Sequence, residues 1–230
     1  MKTTMKTARV LALFIIAFVS AATAFAQSQK IDALMQQYYD YGQFNGSVLV
    51  AEQGKIIYEK GFGMANMEWS IPNQPDTKFR IGSVTKQFTA TVILQLIQEG
   101  KIKLEGKLTD YLTDYRKDTG DRVTIHQLLN HTSGIPSYTS RPTFFAEDSR
   151  DPYSVADFVK KFASGDLEFE PGTKFSYNNS GYFLLGAIIE KVTGKKYEEV
   201  LAERIFKPLG MTNSGYDHHA TLLPKRASGY

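Results

Sequence analysis

The chain has 230 residues, 42% of them apolar and 22% charged, with a formal net charge of +3 and no cysteine. Without cysteine there can be no disulfide, no thiolate metal site and no lipid-modified N-terminal cysteine. The small positive excess belongs to Lys2, Lys6 and Arg9, so the charge balance gives no argument for nucleic-acid or phospholipid binding.

Residues 1–26 have the layout of a secretory signal peptide: those three cations, an apolar run from Val10 to Val19, and Ala24-Phe25-Ala26 as a small-residue cleavage site. Cleavage after Ala26 leaves residues 27–230, where 24 basic residues face 24 acidic ones. A membrane anchor is the alternative, but the run is short for a span and no other long apolar run follows. The expectation is an exported protein, periplasmic or secreted, with no stable membrane anchor after cleavage. Its remaining length can bury a sizeable core and suits one domain or one and a half.

Ile31, Leu34, Met35, Tyr38 and Tyr41 recur at helical spacing and predict a first helix over 28–41. Gly46–Ala51 and Lys55–Gly61 flank Gln53-Gly54 and predict a β-hairpin. Pro72, Asn73, Pro75 and Asp76 predict an irregular approach to a strand-like Phe79-Arg80-Ile81-Gly82. From Ser83 to Glu99 the stripe Phe88, Val92, Ile93, Leu96 and Ile97 predicts a long amphipathic helix ending at Gly100, with the hairpin sheet as the expected partner of its apolar face.

Thr124 and Gln127 have capping-box spacing ahead of a short helix that must stop before Gly134 and Pro136. Ser154–Ala163 reads as a helix with Val155, Phe158, Val159 and Phe162 on one face, and Pro171-Gly172 as a turn. Tyr182, Leu185, Ile188 and Ile189 predict a helix ending near Gly194. Tyr197, Val200, Leu201 and Ile205 predict another before Pro208. Strands first and helices next make an α+β order, with no internal repeat.

Two short motifs carry chemistry. Ser83-Val84-Thr85-Lys86 opens the long helix, where unpaired backbone N–H groups and the helix dipole both favour an oxyanion. Lys86, one turn on, lies within reach of Ser83 and, if buried, becomes a proton acceptor or a holder of anions. Downstream, Tyr177-Asn178-Asn179 supplies a phenol that can carry a proton and an amide that can hold a substrate carbonyl. Each motif also has a plain reading: Ser83 as a helix cap above a solvated Lys86, and the asparagines as turn formers with Asn179 or Ser180 capping the next helix.

Together, these residues resemble the serine β-lactamase and penicillin-binding protein superfamily, the group of class C β-lactamases, D-alanyl-D-alanine carboxypeptidases and related esterases. The likeness runs through Phe79-Arg80-Ile81-Gly82-Ser83, Leu128-Leu129-Asn130-His131-Thr132-Ser133-Gly134, Tyr177-Asn178-Asn179 and Pro208-Leu209-Gly210-Met211. The resemblance implies a transpeptidase-like α+β fold, with an antiparallel sheet against a mainly helical region. It implies Ser83 as the acylated nucleophile, Lys86 as its activating partner, Tyr177 as general acid or base and Asn179 as a substrate-binding amide, on a small-molecule or peptidoglycan-like substrate. No cofactor or metal is implied.

Asn178 departs from the small Ala or Ser common at that place, which is tolerable if its side chain points away from the cleft. His131 is expected to be structural, and His218-His219 to be surface residues rather than metal ligands. A larger departure is that no K-[ST]-G or H-[ST]-G occurs in the chain. The expectation is thus a partial domain over 27–230, truncated before its C-terminal strands, with an open hairpin edge. Its oxyanion hole would lack one donor, typically worth about a hundred- to thousandfold in rate. A non-catalytic penicillin-binding or sensor module and an inactive gene fragment stand as alternatives. Oligomeric state and the choice among lactam, peptide and ester are not legible.

Overall fold

A computed structural model describes residues 26–218 and 220–230. The signal-peptide expectation lies, up to residue 25, outside the described residues, as does His219. The chain divides into two compact units: one runs up to Arg80 and takes in His218–Tyr230, the other is Ile81–Asp217.

The first unit opens with helix α1 over residues 26–40. Strands β1 (Gly46–Glu52) and β2 (Lys55–Phe62) follow as the expected antiparallel hairpin. Its turn needs two residues at positive φ, and Gln53 (50°) and Gly54 (75°) provide them. Asp32 on α1 accepts hydrogen bonds from Tyr58 Oη and Lys60 Nζ, both 2.7 Å, which tie the helix to β2. Those bonds, Lys60 first, hold the Asp32 carboxyl below its ordinary range. Leu49 and Ile56 stay 60% and 57% exposed, so the hairpin keeps apolar side chains in solvent.

The stretch expected to be irregular contains a second small ladder, β3 (Met64–Asn66) with β4 (Ile71–Pro72). Pro72 sits at the end of a two-residue strand, a place where a missing N–H costs no ladder bond. Phe79-Arg80-Ile81-Gly82 forms no strand; only Lys78 makes a bridge, a parallel one with Arg226. Lys78 N donates to Lys225 O, and Ala227 N returns to Lys78 O.

The second unit is helical. Its apolar cluster draws Val92, Ile93 and Leu96 from α2 (Thr85–Gln98) and, beyond the short helices α3 (Leu108–Tyr111) and α4 (Lys117–Gly120), Ile125 and Leu128 from α5 (Ile125–Leu129). Leu184, Leu185, Ile188 and Ile189 come from α7 (Asn179–Thr193), and Val200 and Leu201 from α8 (Tyr197–Leu201). The buried face of α2 therefore meets helices α7 and α8, where the sequence suggested the hairpin. Helix α7 is apolar around most of its girth, with seven buried residues, so it becomes the axis on which the others pack. Thr89 and Tyr197 add a hydroxyl–hydroxyl bond of 2.6 Å between α2 and α8.

Helix α6 (Val155–Phe162) starts where expected, Ser154 Oγ accepting from Asp157 N at 3.1 Å. Helix α7 ends at Gly194, left-handed at φ 67°. The helix expected through Ile205 instead widens after Leu201 into a π turn over Ala202–Phe206, where Lys207 N bonds back to Ala202 O. Pro208, with no N–H, cannot continue the ladder beyond it.

Candidate active site

Ser83 stands in a 3-10 turn, Gly82–Val84, and the α-helix proper starts two residues later at Thr85. Gly82 takes φ 50°, a conformation costly for residues with a Cβ. The expected cap role fails on geometry, because neither turn nor helix has a side-chain cap bond at its start. Ser83 is exposed, and its hydroxyl is free for other partners.

Those partners are the residues the motifs named. Ser83 Oγ lies 2.5 Å from Tyr177 Oη, and Lys86 Nζ donates to Ser83 Oγ at 3.3 Å. Lys86 also donates to Asn179 Oδ1 at 2.7 Å, and its nitrogen stands 4.7 Å from the Tyr177 ring centre. Lys86 is half-buried, whereas Tyr177 is 47% exposed. The Lys86 ammonium first, then the Ser83 hydroxyl, hold the Tyr177 phenol below its ordinary 10. A hydroxyl, an ammonium, a phenol of enhanced acidity and an amide thus meet at one open place.

Local structure explains how Tyr177 arrives there. Helix α5 begins with the expected reciprocal cap: Gln127 N donates to Thr124 Oγ1 at 3.3 Å and Thr124 N to Gln127 Oε1 at 2.9 Å. It ends with Thr132 N reaching back to Gln127 O at 2.9 Å, around His131 in the left-handed region at φ 63°. Three carbonyls of the following stretch then fasten the loop that leads to Tyr177. His131 O accepts from Ser176 N, Thr132 O from Gly172 N and Gly134 O from Glu168 N, each at 2.8 Å. Gly134 has φ 73°, and a Cβ there would lie 2.3 Å from Phe169 O. No other residue fits.

His131 is structural, as expected, but more specifically so than sequence could say. Its Nδ1 accepts from Asn178 N at 3.0 Å, and its ring packs 4.7 Å from Tyr177 and 5.1 Å from Tyr182. Burial, then the Lys86 charge, lower its pKa from 6.5, which favours the neutral ring that this bond requires. Asn178 is buried and turned away from Ser83's hydroxyl partners. Its Oδ1 caps α7 by accepting from Gly181 N at 2.7 Å, and its Nδ2 donates to Ile135 O. The α7 cap is therefore Asn178, one residue before Asn179 and two before Ser180, the two caps the sequence suggested.

Sequence reasoning missed Ser137 and Thr139. Thr139 Oγ1 accepts from Asn179 Nδ2 at 2.8 Å, and Ser137 Oγ accepts from Asn179 N at 3.1 Å. No spacing rule links residues forty positions apart. His218 is exposed, and no group of metal-ligating side chains forms among the described residues. No helix among them is long and apolar enough to cross a membrane.

An α+β chain thus brings a serine, a lysine, a tyrosine and an asparagine together at one open place. Residues 29–230 match the Beta-lactamase family model, and the chain belongs to that family. It is 36% identical over 205 residues to penicillin-binding protein 4* of Bacillus subtilis (strain 168), covering 88% of this chain and 44% of that protein. Among solved structures, a penicillin-binding protein from Bacillus halodurans is 33% identical with a TM-score of 0.74, covering 85% of this chain and 59% of that one. A class C β-lactamase is 26% identical, also with a TM-score of 0.74, covering 88% and 54%. The chain thus spans less than half the length of the curated relative.

Proposed function

We propose that the chain carries the acylating half-reaction of a serine hydrolase, with Ser83 attacking the carbonyl of an amide, lactam or ester. The observation that carries this reading is the convergence on Ser83 Oγ of Tyr177 Oη at 2.5 Å and Lys86 Nζ at 3.3 Å, from segments more than ninety residues apart. In the proposed step the Ser83 oxygen bonds to the substrate carbonyl carbon while its proton passes to Tyr177. The proton then leaves with the departing nitrogen or oxygen, and water later returns the acid and free Ser83.

Tyr177 is the better proton acceptor on geometry, being nearer to Ser83 than Lys86 is. Lys86 has the supporting part, holding negative charge on the phenol and fixing Asn179. The Asn179 amide offers its remaining N–H to a substrate carbonyl. The open setting of Ser83 suits a small-molecule or peptidoglycan-like substrate, handled after export. The test is covalent labelling by a fluorescent penicillin and by an activated ester, followed through several turnovers. Labelling abolished by Ser83→Ala supports the nucleophile, and labelling that survives it refutes the assignment. Product beyond one equivalent marks an enzyme, and a single burst marks a binding module.

A further inference from the structure

Asn179 must present one face of its amide to Lys86, and the opposite face has a partner that no motif announces. A lysine ammonium has only donors, so the group 2.7 Å from Lys86 Nζ has to be the Asn179 oxygen. Nδ2 then points the other way, to Thr139 Oγ1 at 2.8 Å. Ser137 Oγ lies 3.0 Å from Thr139 Oγ1 and accepts the Asn179 backbone N–H at 3.1 Å. Two hydroxyls on one short stretch therefore grip both nitrogens of Asn179.

The grip extends to its neighbours. Asn178 Nδ2 donates to Ile135 O, Ser180 Oγ donates to Pro136 O at 2.7 Å, and Tyr138 N donates to Ser180 Oγ at 2.9 Å. Residues 135–139 thus bond each of the residues 178–180 in turn. Most of these bonds would hold the backbone of the α7 start equally well with any residue at 139. Of these bonds from residues 135–139, the one to the Thr139 hydroxyl acts on the Asn179 side chain, on the face opposite Lys86. Without it, the Lys86 bond would still fix the place of the Asn179 oxygen, but the amide plane would be free to turn about that single contact.

We propose that Thr139 is a positioning residue for this site: its hydroxyl locks the Asn179 amide plane, and through it the place of the Lys86 ammonium beside Ser83 and Tyr177. The inference rests on the hydrolase reading for its effect on rate, but not for its geometry. Two arms keep them apart. In the first, the side-chain amide signals of Asn179 are followed by NMR in the full chain, in Thr139→Val, which keeps shape and removes the acceptor, and in Thr139→Ser, which restores it. The Val variant should shift these signals and speed their proton exchange, and the Ser variant should return them towards the parent.

In the second arm, the rate of Ser83 acylation by an activated ester is measured against pH. Thr139→Val should slow it roughly two- to tenfold, the worth of one net hydrogen bond, and shift the pH profile, with Thr139→Ser recovering both. Unchanged Asn179 signals in Thr139→Val overturn the proposal whatever the rate, and so does failure of Thr139→Ser to rescue. If the parent chain is not acylated at Ser83, the hydrolase reading fails and the NMR arm alone decides the role of Thr139.

Discussion

Tyr177 shows how much a single residue depends on its surroundings. Its phenol is acidified by Lys86 and Ser83, so the acylation rate should rise with pH through an apparent pKa below 10. Tyr177→Phe should remove that rise and lower the rate by about 10²–10⁴, the usual worth of a positioned acid–base group. A stopped-flow pH series on both proteins reads this directly. His131 gives the opposite limb. Its folded-state pKa is depressed, so the stability it contributes is present above 6.5 and is lost as pH falls through the folded value. Protonation would fill Nδ1, break the bond from Asn178 N and place a second cation near Lys86. Acylation and local order around Tyr177 should therefore decline together on the acid side, as near-UV circular dichroism across the same pH range would show. The serine, lysine, tyrosine and asparagine were readable because their spacing is local to one turn or one loop. Thr139 was not, since its role depends on where the chain returns.

Among the elements, those with a terminating signal were legible. Helix α7 has a periodic apolar face and Gly194, the β1–β2 hairpin has Gln53-Gly54, and α5 has its Thr124–Gln127 pair. The 3-10 turn at Ser83, the π turn after α8 and the β3–β4 ladder were not, because each is a short departure that tertiary contacts impose on weak local preferences. Helix starts offer a quantitative check. Thr124→Ala should cost about 1 kcal/mol of stability, since it removes an N-cap. Asn178→Ala should cost more, because the Ile135 carbonyl loses its buried partner along with the α7 cap. Asn178→Ser keeps a capping oxygen and should fall between Asn178→Ala and the parent. Urea midpoints of the three variants would rank them.

On the scale of the whole molecule, all the site residues and the large apolar cluster belong to the Ile81–Asp217 unit. Ile188 is fully buried at its centre, and Ile188→Ala should cost about 2–5 kcal/mol through lost burial and a residual cavity. Glu99 is held down at about 2 by Arg204, then Lys101, yet all three lie near the surface. Glu99→Gln should accordingly leave the melting temperature nearly unchanged in moderate salt. Measured together, the two variants separate burial from surface charge as the source of stability.

In the proposed reaction Ser83 is a nucleophile activated by Tyr177 and Lys86. Mass spectrometry of the 230-residue chain after exposure to an activated ester or a fluorescent penicillin tests it most directly. The acyl mass should appear on the tryptic peptide Ile81–Lys86, be absent from Ser83→Ala and be strongly reduced in Tyr177→Phe. A folded parent chain with no adduct on that peptide, or with its adduct on another residue, would contradict the account.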